Sequence, residues 1–176
     1  MKAFNIFIST LIFFISSLAN ANEKIKFSLD WKFEGPSAIF LTSKERGYYK
    51  SSGLDVTIDS GKGSRDAIPK VASGTYPLGF ADINSVIKFL DQNPKAKVKA
   101  IMMVYDRPPF AIIGRKSLGV VKPKDLEGKI LGAPAPDGAY AQWKSFVKAN
   151  NINASKVKIE NVGFPVREPM LASGKV

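Results

Sequence analysis

The 176-residue sequence contains no cysteine and no histidine. Without cysteine there is no disulfide, no thiolate zinc site, no cysteine nucleophile and no lipid-bearing thiol after a leader. Without histidine the commonest metal ligand and the commonest general base are gone. Most familiar hydrolase and metalloenzyme mechanisms fall with them, so no catalytic residue, metal ligand or cofactor site is assigned. Acidic residues are also scarce: 15 Asp plus Glu stand against 26 Lys plus Arg, for a formal charge of +11. The lysines are scattered rather than clustered, which describes a solvated surface and not a nucleic-acid face. At 45 % hydrophobic and 23 % charged residues the composition is that of a globular protein, and bulk disorder is excluded.

Residues 1–21 read as a secretory leader. Lys2 gives a positive start, an apolar run follows, and Ala19-Asn20-Ala21 is a small-x-small cleavage site. The run is too short for a membrane span. Cleavage after Ala21 would send the chain to a periplasm.

Beyond the leader the pattern alternates between period 2 and helical spacing. Residues 24–29 alternate as a strand, 54–58 do so again, and 78–81 form a short one. Pro36 suits a first helical position, and the helical pattern from there stops near Ser52-Gly53. Ser64 can cap a helix through Ala72, and Asp82 or Asn84 can cap one over 85–91. The apolar run 98–105 predicts a buried strand, and 110–114 another. The rhythm then restarts: a turn at 125–128, a strand at 129–132, a helical stripe of Tyr140, Trp143, Phe146 and Val147, a strand at 157–162 and a helix at 165–172. Such alternation predicts an α/β fold with a doubly wound parallel sheet, residues 22–110 forming a first lobe. Residues 111–176 form a crossover and an incomplete second lobe. Pro69 to Gly74 resembles Pro169 to Gly174, 100 residues later, and a strand follows only the first copy. The chain is therefore expected to be C-terminally truncated.

Three stretches carry a resemblance. Trp31 to Gly35 after the first strand, Glu45-Arg46-Gly47-Tyr48-Tyr49 and Gly53-Leu54-Asp55-Val56 resemble the opening of a substrate-binding protein of an ABC importer. Gly79-Phe80-Ala81-Asp82 is similar to that family's third strand and binding loop, and Asp125 to Lys129 to the start of its second lobe. The nearest group handles thiamine pyrimidine precursors, sulfonates, taurine and nitrate. The resemblance implies a type II periplasmic binding fold that captures a small planar or anionic solute between two lobes. It also implies delivery to a permease in the inner membrane. Export speaks further against a nucleic-acid partner, and a monomeric protein is expected. Two alternatives stay open: a pyrimidine-synthase-like enzyme, or a partial lobe without activity.

Ligands of open α/β sheets sit beyond the carboxyl ends of strands, where helix N-termini converge. Five loops qualify. In the first, Trp31 either stacks on a flat solute or packs in the lobe, followed by Gly35, Pro36 and Ser37. In the second, Asp82 and Asn84 either cap a helix only or also face the cleft. Tyr105 in the third offers a hydroxyl before the Pro108-Pro109 pair. In the fourth, Asp137, Gly138, Ala139 and Tyr140 open a helix with small residues, an anion-cradle candidate without the Walker pattern. In the fifth, Phe164 and Arg167 follow a strand, and Arg167 either grips an anion or pairs with Glu168. The loop Gly61-Lys62-Gly63-Ser64 is weak evidence for phosphate and can equally be a simple turn.

Overall fold

The computed structural model describes residues 22–176. The expected leader, residues 1–21, lies outside the described residues. The alternating segment near the start forms β1 (Glu23–Ser28), and the second forms β2 (Leu54–Asp59). These pair in parallel from Glu23 opposite Leu54 to Ser28 opposite Asp59. The short β3 (Leu78–Gly79) pairs in parallel on the other side of β1, giving the order β2-β1-β3. Parallel neighbours need a crossover, and the helical stretches supply it. A 3-10 turn (Gly35–Ser37) leads into α1 (Ala38–Glu45) and α2 (Tyr48–Ser51), which return the chain to β2. α3 (Ser64–Ala72) connects β2 to β3, and α4 (Ile83–Gln92) follows β3.

A second parallel pair stands apart from the first. β4 (Ile130–Ala133) runs beside β5 (Lys158–Asn161). Between them lie α5 (Gly138–Ala141) and α6 (Trp143–Ala149), and α7 (Phe164–Ala172) follows. Each sheet owns a hydrophobic cluster. Leu29, Val56 and Ile58 form the first, with Phe27, Phe40, Tyr49 and Phe80 packed around them. Leu126, Ile152 and Val157 form the second, against Leu131, Trp143, Phe146 and Ile159. Two parallel sheets and two separate cores within one α/β chain match the fold expected from the alternation.

Two expected strands are absent. Neither 98–105 nor 110–114 joins a ladder, and the supposedly buried run is turned to water: Ile101 is 80 % exposed, Met102 70 % and Ile113 71 %. The physical reason lies in their would-be neighbour. A strand is held by the one beside it, and β3 offers only two residues to pair with. An apolar run predicts burial only where another surface covers it. Smaller corrections concern boundaries. Ser64 is not a cap: Gly63 holds that position, and Ser64 is the first residue of α3. The cap of α4 is Asp82, whose carboxylate accepts from the Ser85 amide at 2.8 Å, and not Asn84.

Leu29 is 2 % exposed at the centre of the first core. Leu29→Ala is expected to cost about 2–5 kcal/mol of folding stability, read by urea denaturation. A loss near zero would mean that the first core is not built around this residue.

Candidate functional site

The carboxyl ends of β1 and β3 and the start of α3 converge on one hydroxyl. Ser64 is 2 % exposed, donates to Asp30 Oδ2 at 3.2 Å and accepts from the Asp82 amide at 3.0 Å. The chain reaches this point through Gly61 and Gly63. Gly61 packs so closely on the Leu29 carbonyl that a Cβ there would overlap it. Gly63 takes φ 109°, which side chains rarely adopt, and its α-carbon faces the Pro136 carbonyl.

The second sheet unit meets the first here. The Arg65 guanidinium donates through Nη1 to the Ala135 carbonyl at 2.8 Å. Gln142 Nε2 donates to Asp82 Oδ2 at 3.2 Å. Trp31, just past β1, meets Phe164 at the start of α7 edge to face, with ring centroids 4.3 Å apart. Such aromatic pairs contribute about 0.5–1.5 kcal/mol beyond area burial. The Trp31 indole N–H donates to Glu34 Oε2 at 3.2 Å.

Three carboxylates therefore gather at one place: Asp30, Asp82 and Asp137. Burial pushes the Asp30 carboxyl up from its ordinary range; the Ser64 hydroxyl pulls against this, while the charges of Asp82 and Asp137 add to it. Asp137 caps α5 by accepting from the Ala139 amide at 2.9 Å and also accepts from Arg167 Nη1 at 3.0 Å. Arg167 also donates to Glu168 Oε1, at 2.9 Å through Nε and 2.7 Å through Nη2, and lies 5.8 Å from the Phe164 ring. Its fork is committed to carboxylates.

Of the residues singled out from the sequence, Trp31, Asp82, Asp137, Gly138, Phe164 and Arg167 come together. Asn84 is exposed beside them and reaches Asp82 Oδ1 at 3.4 Å. Ala139 serves through its amide, and Tyr140 is half-buried on α5. Gly35, Pro36 and Ser37 form the 3-10 turn, where Ser37 is buried and bonds the Glu34 carbonyl at 2.8 Å. The Tyr105 hydroxyl donates to the Pro36 carbonyl at 2.7 Å, and its ring meets Phe80 at 5.9 Å. That hydroxyl fastens the turn to the segment after residue 98. Sequence reasoning placed Asp30 at the start of the first candidate loop without giving it a role, and it missed Arg65 and Gln142. Asp30 carried a signal, since it directly follows a strand; Arg65 and Gln142 carried none. A broad surface depression of about 640 Å³ lies at the other end of α3, lined by Pro69, Ala72, Phe89 and Pro94, away from this cluster.

The model of the NMT1/THI5 like family matches residues 36–176. The chain belongs to this family. A formylaminopyrimidine-binding protein of Halalkalibacterium halodurans is 27 % identical over 172 residues, covering 93 % of this chain and 52 % of that protein. The riboflavin-binding protein RibY of Chloroflexus aurantiacus is 23 % identical over 129 residues, covering 72 % of this chain and 36 % of its own length. Two solved structures share the fold across 87 % of this chain. The alkanesulfonate-binding protein SsuA of Xanthomonas axonopodis pv. citri, bound to MOPS, superposes with TM-score 0.58 at 12 % identity over 52 % of its length. A protein of Bordetella bronchiseptica RB50 does so with TM-score 0.57 at 23 % identity over 49 % of its length. The fold is that of the type II periplasmic binding proteins. The chain spans about half, or less, of the length of the proteins it matches. Among the described residues no helix is long and apolar enough to cross a membrane.

The Asp30 environment has a pH consequence. The folded state holds the Asp30 proton more tightly than the unfolded chain, so this group costs stability as pH rises above the ordinary carboxylate range. Asp30→Asn removes that cost and keeps an acceptor for Ser64. The stability of the variant relative to wild type is expected to grow between about pH 4 and about pH 7 in urea titrations. A flat or falling difference would contradict the assignment.

Proposed function

We propose that the protein captures a small planar, nitrogen-bearing ring compound in the cleft between two lobes, residues 22–110 and 111–176, and delivers it to the permease of an ABC importer. The observation that carries this reading is the Trp31–Phe164 pair, set between the two sheet units beside Asp30, Asp82 and Asp137. Flat rings stack on aromatic faces, and carboxylates accept from ring and exocyclic N–H groups. Anions fit poorly, since the guanidinium of Arg167 is already bonded to Glu168 and Asp137. The anion-cradle expectation for residues 137–140 loses support in the same way: the α5 cap is filled by the Asp137 carboxylate. Aminopyrimidines therefore rank above sulfonates and nitrate.

Membership of a family whose relatives are named for binding formylaminopyrimidine and riboflavin supports the choice of ring. The protein acts by binding and release, without turnover, as a monomer. The leader at 1–21 exports it to the periplasm, where a solute is received on one side and a permease met on the other. Lobe closure supplies affinity by enclosing the solute between pre-formed loops.

Titration calorimetry on the purified chain with a 4-aminopyrimidine, its formylamino derivative, riboflavin and MOPS tests this. The ring compounds are expected to bind and MOPS is not. Trp31→Ala is expected to weaken ring binding by at least about 1 kcal/mol, roughly fivefold, with the fold intact by circular dichroism. Binding of MOPS in preference to the rings, or unchanged ring affinity in the variant, would overturn the assignment.

A further inference from the structure

Gly138 opens α5, where the sequence alone suggests room for a ligand to approach the backbone. The structure fills that room with protein. A Cβ at Gly138 would stand 3.0 Å from Ser64 Oγ, 3.4 Å from Ser64 Cβ and 3.2 Å from Phe110 Cζ. Ser64 cannot withdraw. It is 2 % exposed, and its hydroxyl is held between Asp30 and the Asp82 amide. One turn of chain away, the α-carbon of Gly63 abuts the Pro136 carbonyl so closely that a side chain there would overlap it. The Arg65 side chain bonds the Ala135 carbonyl at 2.8 Å, and its amide lies 3.4 Å from the Pro136 carbonyl.

We propose that the glycine loop 61–65 of the first sheet unit and the turn 134–138 of the second form a latch in which backbone docks on backbone. Gly138 sets how near the two units approach. The latch explains why glycine stands at both 63 and 138: each lacks a Cβ at a point where the other unit's backbone or the Ser64 side chain passes. Gly63 also needs its positive φ, so a substitution there would confound loop strain with docking. Gly138 is free of that complication. It lies in a helix, where alanine is favoured, and its close contacts are with Ser64 and Phe110 rather than with its own sheet unit. The proposal rests on this geometry alone and stands or falls independently of any solute.

The cysteine-free sequence makes the test direct. Lys50→Cys on α2 and Lys148→Cys on α6 are exposed sites, one in each unit, and carry a pair of spin labels. The inter-label distance distribution is measured without added solute in the wild-type background, in Gly138→Ala, and in Gly163→Ala. The last serves as a control, since a Cβ there meets nothing nearer than Pro165 Cδ at 3.7 Å. The expected result is a short population in the wild type and the control, lost to longer and broader distances in Gly138→Ala, with circular dichroism unchanged. A folded Gly138→Ala that keeps the wild-type distribution would overturn the latch. So would a control that shifts equally. Should Gly138→Ala fail to fold, the wild-type distribution decides it: a dominant short population without solute supports the latch, and its absence overturns the latch. Calorimetric failure to bind any ring compound would remove the solute reading and leave these distances untouched.

Discussion

The arrangement depends on the Ser64 hydroxyl. It ties the loop after β1, through Asp30, to the turn after β3, through the Asp82 amide, and it does so from the first turn of α3. A hydroxyl can donate once and accept twice, so a single small side chain satisfies a carboxylate and an amide that would otherwise be costly to bury. Hydrophobic burial builds each unit, but it does not aim the strand ends at one another. The polar bonds at Ser64 do, and Asp30 and Asp82 are held together through them.

Charge and shape then follow. A protein with far more bases than acids places three of its carboxylates where two units meet, and gives the Arg167 guanidinium to two of its own carboxylates. Burial makes the Asp30 carboxyl hold its proton more tightly, and the charges of Asp82 and Asp137 add to this. Beside them the Trp31 and Phe164 rings meet edge to face across the same gap.

Much of the fold was legible. The alternation of Ile25, Phe27 and Leu29, and of Leu54, Val56 and Ile58, reports a strand with one face against a core, and both strands formed where that pattern lies. Asp82 was readable as a cap because short acidic side chains before a helical stripe have few other local uses. The strands expected at 98–105 and 110–114 failed because hydrophobicity reports a preference for burial and says nothing about what will do the burying. The candidate site was half visible. Residues beyond strand ends could be named from periodicity, among them Trp31 and Phe164. Their mutual contact, like the Arg65 bond to Ala135 70 residues away, is a matter of how two units are set side by side, and local pattern carries no such information. Gly138 shows the difference well: glycine marks a close approach, while what approaches is written elsewhere in the chain.

The uncovered apolar stretch has a colloidal consequence. Ile101, Met102, Met103 and Ile113 turn most of their surface to water on a molecule whose sequence carries a formal charge of +11. Like-charge repulsion keeps such molecules apart while its range exceeds their approach distance. At about 0.15 M salt that range shrinks to about 8 Å. Sulfate and phosphate salts, excluded from protein surface, further strengthen apolar contact. Dispersion of this protein is thus governed by ionic strength and by the choice of anion, with dilute, low-salt solutions favouring separate molecules.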